Sequence, residues 1–349
     1  MHIVVRMAVV ALLAGLAVPA AAGPRAQVKW FLSTWGAPRG LTKSLEVLAD
    51  TVARETGNGF TIEIAYGEAL SPQRDNLDSI SVGIIEAGHI CPNNHPGKTP
   101  LMLALELPFL PIADMDAAQR LAQVYYRHPA VVKEMDRYDA VALMQTTTPR
   151  YELMGNGPPP VHLDAYRGMR IRALGAVGEA ARALGAAPTS VPTPEIYNAL
   201  DRGMFEAATI PFPYAFGAYR IYEIADWYTL NLNLAMTNCF LAVNKHALAA
   251  LPDVYRAALM ATIPGAAQAQ IAFLQDEEAM WLEKFAAAGL TPMVYDKAEL
   301  DDFKLREAQK VWDRWIAEAD RRGLPGREML AFILAEGARA SEQSAATGR

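Results

Sequence analysis

The sequence of 349 residues predicts an α/β protein of two lobes with a helical C-terminal region. Strand-like and helix-like segments alternate over residues 28–90, which is the pattern of an open sheet covered by helices. The alternation restarts after a glycine- and proline-rich stretch at 155–160, without a repeat in sequence. Beyond Leu248 the chain is almost wholly helical, with four prolines as boundaries. We therefore expect two α/β lobes with a crevice between them.

The first lobe is predicted to begin with five alternating elements. Apolar residues recur at helical spacing from Leu41 to Val52, and Phe60, Ile62 and Ile64 alternate with polar residues as in a half-buried strand. The predicted elements are a buried strand at 28–33, a helix from 41 to about 57, a strand at 60–66, a helix at 73–82 and a strand at 84–90.

The second lobe follows with a similar order. Gly185 and Gly203 end its two predicted helices, and Thr193 with Pro194 opens the second helix as an N-cap hydroxyl followed by a proline in the first turn. The predicted elements are a strand at 168–173, a helix at 176–184, a strand at 188–191, a helix at 193–203 and a strand at 205–210. Residues 341–349 are predicted to form a flexible polar tail.

Composition and the N-terminus restrict the class of protein. A hydrophobic fraction of 52% excludes intrinsic disorder, and a formal net charge of −6 argues against a nucleic-acid partner. Residues 1–22 combine a short basic start, an apolar run and a small-residue site ending at Ala22, as in a cleaved secretory signal. No other stretch is expected to cross a membrane. We therefore expect an exported, periplasmic protein.

The chain has two cysteines, Cys91 and Cys239, which lie far apart in sequence. In the periplasm, an oxidising compartment, a disulfide between them is permitted. Apolar residues flank each of them, as in buried strands. The sequence favours two buried free thiols, although a disulfide stays open because distance in sequence does not exclude one.

No catalytic or metal site is apparent in the sequence. It contains no G-x-S-x-G, no H-E-x-x-H, no P-loop and no G-x-G-x-x-G. Six histidines and two scattered cysteines are too few for a zinc framework. Gly175 and Gly178 open a predicted helix, but without the remaining phosphate-binding residues they indicate a tight turn. No cofactor and no metal are predicted.

The most informative segment is the strand that ends at Arg172. Arg170 and Arg172 alternate with apolar residues, and Arg172 occupies the carboxyl end of the strand, the edge where ligands bind in open α/β sheets. A guanidinium there can form two parallel hydrogen bonds to a carboxylate. Arg170 is interpreted as a solvated surface residue.

Several segments carry a resemblance to a known family, the substrate-binding subunits of tripartite ATP-independent periplasmic (TRAP) transporters, or DctP family. The order and spacing of these segments matter more than any one of them. The similarity covers nearly all of the chain after residue 22. The segments that carry it include 105–110 (LELPFL), similar to the family's LPFL, 164–172 (DAYRGMRIR), similar to DLKGLKIR, 195–203 (EIYNALDRG), similar to EVYxALQxG, and 241–245 (LAVNK), similar to a later xxxNK segment.

The resemblance implies a two-lobed, type II periplasmic-binding-protein architecture with a hinge between the lobes. Lobe I is expected at 27–147 plus 238–285, and lobe II at 148–237 plus 286–340 with the C-terminal helices. It also implies a solute-binding protein that captures a small organic acid, performs no chemistry on it, and delivers it to one small and one large membrane subunit. We expect a monomer, because the turn at 323–326 lets the C-terminal helices fold back.

The resemblance further implies the ligand-binding residues. Arg172 matches the family's carboxylate-binding arginine, and Arg150 matches a second arginine upstream. Ile210 stands where the family has an asparagine that also holds the carboxylate, and Glu206 stands at an aspartate. The remaining candidates follow strands on the side of the expected crevice: Trp35, Phe212, Tyr214, His89, Cys91 and Asn93.

Ile210 and the aromatic candidates predict a monocarboxylate with an apolar or aromatic body in preference to a C4-dicarboxylate. Two other classes stay open, namely a binding protein of another importer and an exported α/β enzyme that acts on a small carboxylate.

Overall fold

The computed structural model describes residues 27–95 and 97–347, so the predicted signal at 1–22 lies outside the described residues. Two mixed sheets are each covered by helices, as the sequence predicts for the fold class. The strands are β1 (Val28–Ser33), β2 (Phe60–Ala65), β3 (Ala87–Ile90), β4 (Ala140–Thr147), β5 (Tyr151–Gly155), β6 (Arg170–Arg172), β7 (Ala187–Thr189), β8 (Ala207–Pro211), β9 (Trp227–Thr229), β10 (Asn238–Asn244) and β11 (Thr291–Met293). The helices are α1 (Lys43–Glu55), α2 (Asn76–Ser81), α3 (Met115–Tyr125), α4 (Pro129–Asp136), α5 (Gly175–Ala183), α6 (Ile196–Asp201), α7 (Tyr214–Ala218), α8 (Lys245–Ala250), α9 (Asp253–Ala287), α10 (Lys297–Arg321) and α11 (Gly326–Thr347).

Lobe I is built on a five-stranded sheet in the order β2-β1-β3-β10-β4. β1 runs parallel to β2 and β3, whereas β10 inserts antiparallel between β3 and β4. All seven residues of β10 are buried, because helices cover both faces of this central strand. One face carries Trp30, Phe60 and Tyr255 in a core under α1 and α9. The other face packs against α3 and α11.

Lobe II is built on a six-stranded sheet in the order β11-β9-β5-β8-β6-β7. β6 lies parallel to β7 and β8, and β5 lies antiparallel to β8 and β9. The parallel arrangement places the carboxyl end of β6, at Arg172, beside Ala208 of β8 and Thr189 of β7. This edge carries the candidate site.

Helix α9 is continuous for 35 residues with Pro264 inside it, so the prediction that Pro264 ends a helix is wrong. Burial of Ile263, Ala266 and Ala267 in the core of lobe I holds the helix together on both sides of the proline. Contrary to expectation, α9 is also apolar and long enough to cross a membrane by length and composition alone. Its buried face is that of a core helix, and near its C-terminal end Phe285 packs into lobe II.

The C-terminal helices differ from their predicted assignment to lobe II. α10 packs Leu300 and Phe303 into the lobe II core, whereas Ile316 near its other end packs into the lobe I core. α11 lies on α3 of lobe I. The predicted flexible tail at 341–349 is helical as far as Thr347, because Ser341 and Ser344 bind groups of the loop at 111–114.

Cys91 and Cys239 form a disulfide, so the prediction of two free thiols is wrong. Ile90 pairs with Phe240 in antiparallel strands. Cys91, which follows Ile90, therefore lies opposite Cys239, which precedes Phe240, and their Cα atoms are 4.1 Å apart. That spacing brings the two sulfurs within bonding distance across the strand pair. The sequence shows neither the pairing nor the register of these strands. Leu41 and Trp35 pack against the bridge.

Glu106 is a buried carboxyl that makes folding depend on pH. It is 2% exposed and accepts a hydrogen bond from the backbone N–H of Asn238 at 3.0 Å, and burial raises its pKa to about 7. The folded protein therefore keeps a proton that an unfolded carboxyl, with its ordinary pKa of 4.5, has lost. Stability should fall as pH rises from about 4.5 to about 7.

Glu106→Gln removes this titration and keeps the acceptor oxygen. We expect the variant to be more stable than the wild type above pH 7, with a flatter stability profile in urea unfolding between pH 5 and 8. Other buried groups contribute to the residual slope, among them Glu134, whose pKa burial also raises to about 7. Parallel pH profiles for variant and wild type would contradict the prediction.

Candidate functional site

Two of the passages of the chain between the lobes, after β4 and before β10, are neighbours. There the hydroxyl of Thr148 donates to the Thr237 carbonyl oxygen at 3.1 Å and accepts from the Thr237 backbone N–H at 3.2 Å. The two hydroxyls lie 2.9 Å apart. Both threonines are buried. The two connections therefore form one hydrogen-bonded joint beside the site.

Arg172 is held in position by three hydrogen bonds. Its Nε donates to the Val191 carbonyl oxygen at 2.9 Å, Nη1 to the Thr209 carbonyl oxygen at 3.0 Å, and Nη2 to the Thr193 hydroxyl at 3.1 Å. The predicted N-cap role of the Thr193 hydroxyl is therefore wrong, because it accepts from the arginine instead of from the helix backbone. A guanidinium has five N–H bonds, and three of them are used in these hydrogen bonds. One N–H bond therefore remains on Nη1 and one on Nη2, and a carboxylate can accept both.

The charge of Arg172 has no counter-ion in residues 27–95 and 97–347. The residue is 3% exposed, and none of the carboxylates described there lies within 4 Å of its guanidinium. Burial lowers its pKa, while Tyr151 and Tyr219 act in the opposite direction as its nearest titratable neighbours. An isolated buried cation costs several kcal/mol unless an anion pairs with it. The site is therefore arranged for an anion.

Arg150, the second predicted arginine, already has two carboxylate partners. Its Nε lies 3.2 Å from the buried Glu152, and its Nη2 lies 2.9 Å from Glu278 on α9. Glu152 also accepts from the backbone N–H groups of Leu232 and Asn233. Arg150 thus links the start of β5 to α9.

Arg150→Met should lower stability more than it lowers ligand affinity, because it leaves the buried Glu152 without its cation. We expect the free energy of unfolding to fall by about 2 kcal/mol or more. We expect the factor by which affinity falls to be less than a tenth of the factor for Arg172→Ala. Urea unfolding and calorimetry on the same preparations measure both. An affinity loss equal to that of Arg172→Ala would assign Arg150 a direct ligand contact.

On the lobe I side, Trp35 stacks on His89 with ring centroids 4.4 Å apart. The two ring nitrogens of His89 lie 3.1 Å from the Thr34 hydroxyl and 2.7 Å from the Thr146 hydroxyl. Full burial holds the His89 pKa well below its usual value, so the ring is neutral. His89 therefore packs against one face of the Trp35 indole, and the indole, not His89, forms the surface of the site on the lobe I side.

Sequence reasoning missed Arg39, which lies at the end of the loop that follows β1. Its Nη1 donates to the carbonyl oxygens of Trp35 at 2.7 Å and Ala37 at 2.8 Å, and its guanidinium lies 5.2 Å from the Trp35 ring centroid. Electrostatic interactions connect it to Tyr214 and Tyr219 of lobe II. The only sequence signal was a cation in a Gly- and Pro-rich loop, which usually indicates a solvated turn.

Tyrosines dominate the lobe II side. Burial raises the pKa of Tyr151 to about 12 and the pKa of Tyr214 well above its usual value. Tyr219 is 40% exposed and lies within electrostatic reach of both Arg39 and Arg172. Tyrosines beside two guanidinium groups present both aromatic surface and hydrogen-bonding hydroxyls.

The structure also gives the surroundings of four further predicted site residues, Ile210, Phe212, Asn93 and Cys91. Ile210 is 2% exposed, and Phe212 is fully buried among Phe216, Tyr228 and Phe285, so both belong to the lobe II core. Asn93 is exposed, and Cys91 is in the disulfide. His89 and the two cysteines have donor atoms within 4.8 Å of one another, but the disulfide engages both sulfurs and removes them as metal ligands.

Arg170 is exposed on the same strand and pairs with Glu206 through its side chain. This pair agrees with the interpretation of Arg170 as a surface residue.

The sequence profile of DctP, a bacterial extracellular solute-binding protein of family 7, matches residues 32–318. The outer membrane transporter protein TsaT of Comamonas testosteroni is 24% identical over 293 residues, 83% of this chain and 85% of that protein. A monocarboxylate 2-oxoacid-binding periplasmic protein of Nostoc sp. is 28% identical over 192 residues. The match covers 54% of this chain and 51% of that protein.

Solved structures show the same fold. A TRAP solute-binding protein from Rhodoferax ferrireducens, crystallised with copurified benzoate, superposes with a TM-score of 0.78 at 21% identity. The superposition covers 91% of this chain and 100% of that one. The two-lobed architecture is therefore shared.

Proposed function

Because the chain belongs to family 7 of the bacterial extracellular solute-binding proteins, the DctP family, we propose that it binds a small organic acid between its lobes with Arg172 as the carboxylate-binding residue. The observation that carries this proposal is a buried guanidinium with two free N–H bonds and no counter-ion in the described chain. A carboxylate matches both the charge and the spacing of those two donors.

The body of the ligand contacts aromatic surface. The Arg39 guanidinium lies 5.2 Å from the ring centroid of Trp35 in lobe I, and Tyr151, Tyr214 and Tyr219 of lobe II are within electrostatic reach of Arg39 or Arg172. Flat rings stack well on such side chains. The Rhodoferax neighbour holds benzoate, a ring acid, in the same fold, which supports a ring acid as the first ligand to try.

A thermal-shift screen over aliphatic, hydroxy, oxo and aromatic acids tests the proposal, followed by calorimetry on the acids that raise the melting temperature. We expect saturable binding with 1:1 stoichiometry. If no organic acid shifts the melting temperature, the proposed function is wrong.

Ligand binding is expected to close the lobes about the joint at Thr148 and Thr237. Closure removes apolar surface from water and draws the lobes together, so the radius of gyration from X-ray scattering should fall and the heat capacity of binding should be negative. Moving the equilibrium from 1:99 to 99:1 requires about 5.5 kcal/mol of differential affinity. An unchanged scattering profile at saturating ligand would contradict closure.

We further propose that the closed form is the one that a small and a large membrane subunit recognise, and that the protein is a periplasmic monomer without enzymatic activity. α11 folds back onto α3 of the same chain, which supports the monomer. Light scattering at twice the mass of one chain would overturn the monomer. Recovery of chemically altered ligand after prolonged incubation would favour an enzyme instead.

A further inference from the structure

Gln270 of α9 is a buried amide that binds the backbone of two separate segments of lobe I. Its side chain is fully buried. Nε2 donates to the carbonyl oxygens of Gly40 at 2.9 Å and Leu41 at 3.0 Å, and Oε1 accepts from the backbone N–H of Thr147 at 3.1 Å. Both N–H bonds of the amide are therefore used, and the three hydrogen bonds fix its orientation.

The first of these segments is the loop after β1. It follows the carboxyl end of a strand that is parallel to β2 and β3, which is the edge of an open α/β sheet where ligands bind. The loop lies directly on α9, since a Cβ at Gly40 would be only 2.8 Å from Cδ2 of Leu274, one turn beyond Gln270. Leu41 packs against the disulfide together with Trp35. Gln270 therefore fixes the backbone of a residue that shares its packing surface with Trp35.

The second segment is the end of β4. Thr147 is the last residue of that strand, and the next residue, Thr148, belongs to the joint between the lobes. α9 also binds the chain on the other side of the joint, where Glu278 pairs with Arg150 at 2.9 Å. Gln270 thus connects the loop at the ligand edge of lobe I to the point about which the lobes are expected to rotate.

We propose that Gln270 is a positioning residue for ligand binding, whose amide holds the loop after β1 against the end of β4 so that Trp35 is in place before the lobes close on the acid. This proposal rests on the proposed function. Gln270 acts through the loop and does not contact the ligand. A loop that is already ordered loses less conformational entropy on binding, and the difference appears as affinity.

Gln270→Met tests the proposal, because methionine has a similar length but makes none of the three hydrogen bonds. With the tightest acid from the thermal-shift screen, calorimetry should show an affinity loss of about tenfold or more. If the melting temperature falls and the affinity stays within twofold of the wild type, Gln270 only stabilises the fold and the proposal is overturned.

Leu259→Ala is the matched control on the same helix. Leu259 is fully buried in the core of lobe I, and its truncation leaves a cavity without removing a hydrogen bond. Its melting temperature should fall while its affinity stays within twofold of the wild type. An affinity loss as large as that of Gln270→Met would overturn the proposal, because affinity would then follow stability alone.

Gln270→Glu is the second variant, and it carries the test if Gln270→Met does not fold. A protonated carboxyl can donate to one loop carbonyl and accept from Thr147, whereas an ionised one has no donor and faces two carbonyl oxygens. Its affinity relative to the wild type at the same pH should therefore rise about threefold or more from pH 8 to pH 5. A constant ratio would overturn the proposal. Failure of the wild type to bind any organic acid would refute the proposed function, and this proposal with it.

Discussion

Arg172→Ala is expected to reduce affinity for the organic acid by a factor of several hundred to several thousand. The substitution removes a buried cation that binds the ligand carboxylate through two N–H bonds, and breaking such a buried pair costs about 3–5 kcal/mol. Lysine should restore little, because a point charge does not reproduce the planar fork. Titration calorimetry with the tightest acid from the screen measures the change.

Arg170→Ala is the matched control for this experiment. It removes an arginine from the same strand, but one that is exposed and paired with Glu206. Its affinity should stay within twofold of the wild type. If Arg172→Ala also stays within threefold of the wild type, the assignment of Arg172 is wrong. Melting temperatures without ligand show that both variants are folded.

Replacing both cysteines with alanine, as Cys91→Ala with Cys239→Ala, should lower the free energy of unfolding by about 2–5 kcal/mol. The disulfide joins residues 148 positions apart, so its loss frees a long loop in the unfolded chain. It also removes the contact beneath Trp35. Urea unfolding at pH 7 measures the loss.

Reductant provides the internal comparison. Dithiothreitol should destabilise the wild type to about the level of the double variant and leave the double variant unchanged. Equal stability of wild type and double variant under oxidising conditions would show that the bridge contributes nothing. Single cysteine variants are less informative, because the remaining thiol can form intermolecular disulfides.

Local patterns predicted β1, β2 and β3 of lobe I and β6, β7 and β8 of lobe II, but not the remaining strands of either sheet. The first strand was predicted with its observed bounds, Val28–Ser33, because its apolar run is bordered by polar residues. β5 was missed, since Glu152, a buried carboxyl, stands near its start. That position is tolerable because Glu152 has tertiary partners, namely Arg150, the Thr229 hydroxyl and the backbone of the 232–233 loop.

The candidate site was predictable where position on a strand determined it. Arg172 follows from the rule that ligands bind at the carboxyl ends of parallel strands. Phe212 also follows a strand, but α9 supplies Phe285 to cover it, and a contact across so many residues leaves no local signal. Arg39 is in a loop, where nothing in the sequence shows that its guanidinium folds back onto Trp35.

The ligand expectation changes with these placements. The predicted preference for a monocarboxylate with an apolar or aromatic body rested on Ile210 and the aromatic candidates, and of these Ile210 and Phe212 lie in the core of lobe II. The screen over aliphatic, hydroxy, oxo and aromatic acids therefore tests whether that preference holds.

The position of β10 also determines the order in which this protein can fold. Lobe I needs β10 between β3 and β4, yet the chain between β4 and β10 forms most of lobe II. An emerging chain therefore cannot complete the sheet of lobe I until residues 148–237 have also emerged. Such non-local pairing slows folding, so a nascent chain stays unfolded for longer. A protein that must be threaded through a membrane before it folds gains from that delay.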